Sequence, residues 1–309
     1  MSDHIPMRVA VVGATGFQGG ATARLLTERD HRVRTLSRRP EADRPALPGV
    51  CVVDGDLGRY EDVRRLFVGA THAAVVMPLV YQAEKVMRYA QHIAKAAREA
   101  GLRRLVYNTN TRVPDGSTNV VAFETRRLAE TVFRESLAQT EVELVVVRPP
   151  VYLDNLFSPW NGPALVNEGV LAYPLPADTP TAWISHRDLA EAVYAALTVD
   201  GIAGRAFDIG GSRTLTGPEL AEAFGQGLGR SVRYVPLEPG VFEQGLAQIL
   251  GAESAAGVAG IYHYMAAALE PALMRGDDGA STAALSLKPA PVDEWVARQP
   301  WQTWSGEQA

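Results

Sequence analysis

The sequence predicts a doubly wound α/β protein, a parallel sheet with helices on both faces, joined to a smaller, discontinuous, mainly helical lobe. Three observations predict it. Short, nearly all-apolar runs alternate with amphipathic ones over the first half of the chain. Three glycines spaced three apart follow the first apolar run. After Arg148-Pro149-Pro150 the alternation breaks into segments rich in proline, glycine and aromatics, with an Ala-rich stretch further on. Alternation of this kind implies βαβ units and right-handed crossovers. Strands such as Leu144-Val145-Val146-Val147 are apolar throughout, as they must be when helices cover both faces.

In order, strands are predicted at 7–12, 32–36, 50–54, 72–76, 104–108 and 142–148, with helices at 17–29, 59–68, 80–100 and 121–138. In the last helix Leu128, Val132 and Phe133 fall on one face. Residues 149–181 read as loop with short helices. Ser185-x-x-Asp188 ahead of an apolar-periodic run is a capping box, so a helix begins near His186. A strand is expected at 206–209. A second capping box, Thr216-x-x-Glu219, starts another helix, and Val232–Val235 form a short strand. Residues 239–275 are helical with glycine interruptions, 276–290 loop, and 291–298 a last short helix. The sheet domain is thus expected from 1–150 plus 182–212, and the lobe from 151–181 plus 213–309.

The 309 residues are 47% hydrophobic and 21% charged, with a net charge of −5. That balance offers no basic stripe, so no nucleic-acid partner is expected. No apolar run approaches a membrane span. Met1–Pro6 shows neither a basic flank nor an apolar core, so a cytoplasmic location is expected. Cys51, the single cysteine, sits in Val50-Cys51-Val52-Val53 and reads as a small buried filler. The six histidines show no metal-ligand spacing with one another or with Cys51, so no metal is expected. Neither a nucleophile elbow nor a phosphate-loop lysine motif occurs.

The glycines carry the first functional signal. In Val12-Gly13-Ala14-Thr15-Gly16-Phe17-Gln18-Gly19 a strand ends, a turn forms and a helix opens. Gly13 permits the tight turn, Gly16 lets backbone approach a pyrophosphate, and Gly19 lets the helix lie close. The free N–H groups of the helix start then face the phosphates. After the second strand, Ser37-Arg38-Arg39 stands where NAD sites place a carboxylate. Arg38 can clamp a 2′-phosphate bidentately, so the expected cofactor is NADP(H). Asp56-Leu57 should flank the adenine, Met77-Pro78 the nicotinamide ribose, and Pro149 to Tyr152 the nicotinamide ring. Thr15, Phe17 and Gln18 belong to the phosphate turn itself.

With these pieces in order the chain resembles the NmrA-like family of atypical short-chain dehydrogenases/reductases, which have a Rossmann fold. The resemblance rests on the glycine segment, Leu36-Ser37-Arg38, Gly55-Asp56-Leu57, Ala97-x-x-Ala100-Gly101-Leu102-x-x-Leu105-Val106-Tyr107, Arg148-Pro149-Pro150-x-Tyr152-x-Asp154-Asn155 and Trp183-Ile184-Ser185-x-x-Asp188-Leu189-Ala190. These run in family order from residue 8 to about 210, and the last third resembles the family only loosely. The resemblance implies NAD(P) at the C-terminal edge of the sheet. It implies either reduction of small carbonyl, quinone or enone compounds or redox sensing without chemistry.

The family's usual catalyst, Tyr-x-x-x-Lys after the fifth strand, has no counterpart. Lysine occurs only at 85, 95 and 288. By position Arg126 aligns with the family lysine and is assigned the ribose. Arginine holds a hydroxyl but does not share a proton. Thr109 or Asn108 replaces the usual serine. A literal Tyr81-x-x-x-Lys85 follows strand four instead, read either as a surface helix start or as Tyr81 facing the nicotinamide mouth. Tyr81, Thr109 and Tyr152 are therefore the catalytic candidates, and Tyr152, Asn155, Trp160 and His263 the substrate contacts. His186 reads mainly as a helix-start histidine in solvent. The leading expectation is an NADPH-dependent reductase of a small carbonyl, quinone or enone compound. The alternatives are a non-catalytic NADP(H) sensor with a protein partner, and a recruited isomerase or lyase. The oligomeric state is left open.

Overall fold

The computed structural model describes residues 6–276 and 279–305. Met1–Ile5, on which part of the location reading rests, lie outside them. Seven strands form one all-parallel sheet: β1 (Arg8–Val12), β2 (Arg32–Ser37), β3 (Val50–Asp54), β4 (His72–Val76), β5 (Arg104–Asn108), β6 (Glu143–Arg148) and, later in the chain, β8 (Ala206–Asp208). Their order is β3-β2-β1-β4-β5-β6-β8. The direction of winding reverses between β1 and β4, and that switch point opens a crevice at the strands' C-terminal ends.

Side-chain alternation along each strand divides the core in two. Ala10 and Val12 point to one face, with α2 (Tyr60–Phe67), α3 (Ala83–Glu99) and α4 (Val121–Leu137). Val9 and Val11 point to the other, with α1 (Phe17–Glu28) and α6 (His186–Thr198). Buried Arg104 ties the sheet to α6. It pairs with Glu143, and its Nη1 donates to the Ala196 and Val199 carbonyls at 3.0 and 2.7 Å. These are carbonyls that the helix end leaves without partners.

A third core gathers the chain after β6 with the C-terminal third. Here the structure corrects the expectation of loop and short helices at 149–181. After α5 (Gly162–Glu168), β7 (Val170–Tyr173) pairs in parallel with β9 (Arg233–Pro236) as a separate two-stranded sheet. The run Val-Leu-Ala-Tyr is short, and its partner lies some sixty residues on, so no local pattern announces it. α7 (Gly217–Leu228) starts at the second capping box. The Glu219 carboxylate accepts from the Thr216 N–H and hydroxyl at 2.8 and 2.6 Å. The Ala-rich stretch divides at Gly251 (φ 79°) into α8 (Pro239–Leu250) and α9 (Ala252–Ala266). α10 (Ala280–Ala284) and α11 (Val292–Ala297) follow. Cys51 is a second correction. β3 is the sheet's outer strand, so its Cys51 side is left uncovered and the thiol is exposed. No helix among the described residues is long and apolar enough to cross a membrane.

Candidate active site

One cavity of about 580 Å³ runs from the β1–α1 turn, over the switch point, to the helices α8 and α9. At the turn, Gly13 has φ 87°, and a Cβ there would come within 2.7 Å of Val76 Cγ1. A Cβ at Gly19 would run into the Gly13 carbonyl. Gly16 differs. Its φ of −100° suits any residue, and a Cβ would meet only the Gly13 oxygen, at 3.4 Å. The space it leaves lies on the cavity side. Gly16 caps α1 without a side-chain bond, so the helix's first N–H groups face the cavity free.

Behind this turn Gln18 sits in a polar cluster. Its Oε1 accepts from Asn108 Nδ2 at 2.8 Å and from the Tyr152 hydroxyl at 2.9 Å, and its Nε2 donates to Asn110 Oδ1. The Tyr152 hydroxyl also lies 3.0 Å from the Asn110 carbonyl. Asn110 holds a left-handed backbone (φ 69°), with its N–H donated to Asn108 Oδ1 at 2.8 Å. The cluster pins the β1–α1 turn to the end of β5 and to the segment that follows β6. Tyr152 lines the cavity, but its proton is committed to two acceptors, and burial raises its pKa well above the ordinary phenol value. The side chain is a clamp rather than a free acid.

At the far end of β2, Arg38 is well exposed and lies 3.8 Å from Asp56, a loose pair that water largely screens. Asp56 Oδ1 accepts from the Gly58 N–H at 2.6 Å, and Asp62 accepts from the Asp56 N–H at 3.0 Å. Ser37 Oγ accepts from the Arg39 N–H. The cavity then passes Leu57, Met77, Pro78 and Tyr81.

The lobe closes the other end. Asn155 Nδ2 donates to the Tyr173 hydroxyl at 3.0 Å, which shares a 2.6 Å hydrogen bond with the Tyr262 hydroxyl. Burial holds both phenols above their usual pKa. Phe242, Leu246, Ile249, Leu250, Val258 and Ile261 form an apolar wall, and half-exposed Trp160 stands at its rim.

The structure thus gathers Gly13, Thr15–Gly19, Ser37, Arg38, Asp56, Leu57, Met77, Pro78, Tyr81, Arg126, Tyr152, Asn155 and Trp160 around one space. It does not bring three other candidates there. The Thr109 hydroxyl is fully buried and donates to the Thr111 carbonyl at 2.6 Å, so it cannot stand in for a catalytic serine. His263 lies on the outer side of α9, 3.5 Å from Glu243 and half exposed, because the inward turn positions are Val258, Ile261 and Tyr262. Pro149 is buried beside the cavity, and Pro150 takes the lining position. His186, expected mainly as a helix-start histidine in solvent, does open α6 but lines the cavity. Its N–H donates to Asp154 Oδ2 at 2.7 Å, its Nδ1 lies 3.3 Å from Oδ1, and its ring packs between Phe17 and Tyr152. The signal was Asp154, two residues after Tyr152, which supplies α6 with an acceptor from outside the helix. Among the described residues no group of three or more His, Cys, Asp or Glu side chains is disposed to hold a metal.

The NmrA-like family model matches residues 6–296. The chain belongs to the NmrA-like family. Among curated proteins, a (4-alkanoyl-5-oxo-2,5-dihydrofuran-3-yl)methyl phosphate reductase of Streptomyces griseus is 32% identical over 231 residues, 74% of this chain and 77% of that one. An NAD(P)H azoreductase of Xenophilus azovorans is 29% identical over the same shares. Among solved structures, the Citrobacter sp. triphenylmethane reductase complexed with NADP(H) superposes with a TM-score of 0.71 at 20% identity, covering 94% of this chain and 99% of its own. At that identity the likeness speaks for this NmrA-like chain's fold.

Proposed function

We propose that this protein is an NADPH-dependent reductase of a small conjugated organic molecule, a carbonyl, quinone or enone. The observation that carries the reading is the continuity of the cavity. A phosphate-type helix start at one end and an apolar, aromatic-rimmed wall at the other share one space, so a dinucleotide and an uncharged acceptor can meet inside it. The named activities of the Streptomyces and Xenophilus relatives, both reductases, support it.

The residues present fit the cofactor. The open side of Gly16 and the free N–H groups of α1 suit the pyrophosphate, and Ser37 with Arg38 suits a 2′-phosphate, since the loose Asp56 pair releases Arg38 at little cost. Leu57 borders the adenine, and Met77 and Pro78 the second ribose. Bound NADPH supplies a hydride. The protein's part is to place the acceptor against it and keep water out, the task of the α8–α9 wall. A tyrosine–lysine couple is not built here. No lysine occurs between Lys95 and Lys288, and Lys85 is not among the cavity's lining residues.

Single-turnover oxidation of bound NADPH against quinones, enones and ketones tests the reading. At least one acceptor is expected to oxidise it far faster than buffer does, and a flat response to all of them would end the reductase reading. Fluorescence titration tests the cofactor. NADPH is expected to bind about tenfold to a hundredfold more tightly than NADH, and Arg38→Ala to erase the difference. Equal wild-type affinities would remove Arg38 from the site.

A further inference from the structure

Tyr81 and Arg126 reach the same spot from different elements. Tyr81 stands in the loop between β4 and α3, and Arg126 in the second turn of α4. The guanidinium carbon lies 5.0 Å from the centre of the Tyr81 ring. Gly257 of α9 also lies against this ring, and any Cβ there would strike it. The ring thus packs on both a cation and a bare stretch of helix, and both side chains line the cavity.

Much of their hydrogen-bonding capacity is unspent. Arg126 is only 4% exposed, yet its Nε has no hydrogen-bond partner, and its Nη1 reaches only the Thr125 hydroxyl, at 3.2 Å. The two acids of its own helix nearest to it are already engaged, Glu124 by Arg127 and Glu130 by Arg134 and Arg148. The Tyr81 hydroxyl is buried, and the one polar side chain set against it is the Arg126 guanidinium, which can only donate, so the phenol proton has no acceptor. Leaving a buried donor unmet is costly, and a buried cation without a counter-charge more so. Two such groups side by side in a cavity wall are matched by one missing thing, an oxygen that carries negative charge.

We propose that Tyr81 and Arg126 together receive the reducible oxygen of the acceptor, Arg126 holding it as it turns negative and Tyr81 giving it its proton. The inference rests on the reductase reading and deepens it. When hydride forms the new C–H bond, an electron pair moves onto the acceptor's oxygen. The Tyr81 O–H bond breaks and the acceptor's O–H bond forms. The tyrosinate, held beside Arg126, regains a proton from water. Arg126 stays protonated throughout. The acceptor is thereby a conjugated carbonyl or quinone with one oxygen at the Tyr81 end and an apolar body against α8. Arg126 is removed from the ribose-holding role that its position in the sequence suggests.

Three measurements on the full chain test this. The first is NADPH affinity by fluorescence. The second is the single-turnover rate with the best acceptor. The third is binding of 4-nitrophenol to the NADP⁺-saturated protein, read from the phenolate absorbance. Wild type is expected to favour the phenolate. Tyr81→Phe should slow single turnover by about a hundredfold or more while NADPH affinity stays within about threefold. Arg126→Met should weaken phenolate binding by about tenfold or more, and Arg126→Lys should restore part of it. The proposal is overturned if Tyr81→Phe turns over at near wild-type rate. It is also overturned if Arg126→Met loses NADPH affinity and leaves the phenolate untouched, which would return Arg126 to the cofactor. Circular dichroism reports that each variant is folded. A wild type that reduces nothing yet stabilises the phenolate through Arg126 would end the reductase reading and leave the oxygen-binding pair standing.

Discussion

A side chain at Gly16 would meet only the Gly13 carbonyl, so the protein itself has no need of glycine there, whereas Gly13 and Gly19 are required by their own surroundings. Gly16→Val is therefore expected to fold normally by circular dichroism and to lose dinucleotide binding by about two orders of magnitude, since the branched side chain fills the place proposed for the pyrophosphate. Retained binding would reduce the motif to a turn. At this scale the glycine spacing and the Ser37-Arg38-Arg39 segment were legible, because each depends on neighbours a few residues away. The availability of a hydroxyl was not. Thr109, Tyr152 and Tyr81 look equivalent as letters. Only packing reveals that the first donates to a backbone carbonyl, the second is divided between Gln18 and Asn110, and the third faces only a guanidinium and keeps its proton without an acceptor.

Among the elements, the six strands and four helices before Pro149 lie within a few residues of where apolar periodicity puts them, and Ser185 caps α6 by accepting from the Asp188 N–H. β7 escaped because a parallel pair joins distant segments and leaves no hairpin turn to read. β4 carries a titration consequence. His72 is buried beside Arg103 and Arg104, and desolvation first, then these cations, lower its pKa from 6.5 to about 4. Thr71 lies 2.9 Å from its Nδ1, His31 adds to the lowering and Glu143 opposes it. Between those two values the unfolded chain binds a proton that the folded one refuses. The contribution of this histidine to stability is therefore whole above about pH 6.5 and is lost as the pH falls toward 4. Urea midpoints at pH 7 and pH 5 should drop less in His72→Gln than in wild type. An unchanged drop would assign the acid sensitivity elsewhere.

At the scale of the whole molecule, α9 walls the cavity, and of its two glycines Gly257 has the less room for a side chain, since it lies against the Tyr81 ring. A methyl group there forces the helix or the ring to move. Gly257→Ala is expected to lower stability by about 1–3 kcal/mol, an overpacking cost, or roughly 2–4 °C in Tm for each of those kcal/mol. Gly245→Ala, in α8, whose added Cβ meets nothing within 4 Å, should be neutral or stabilising. Equal behaviour of the two variants would mean that α9 docks more loosely than its contacts imply.

The parallel pairing of β7 with β9 has a consequence for modularity. The chain leaves the sheet after β6 to lay down β7, returns to build α6 and β8, and leaves again for β9. The lobe is thus sewn through the body rather than appended to it. A single genetic crossover cannot graft this lobe onto a related body, because each half of the small sheet would arrive without its mate. The α8–α9 segment, Pro239–Ala266, is continuous in the chain and holds most of the apolar wall. It is the piece that can be exchanged whole, and so, on the function proposed here, the natural cassette for retargeting the acceptor while the other end of the cavity stays as it is.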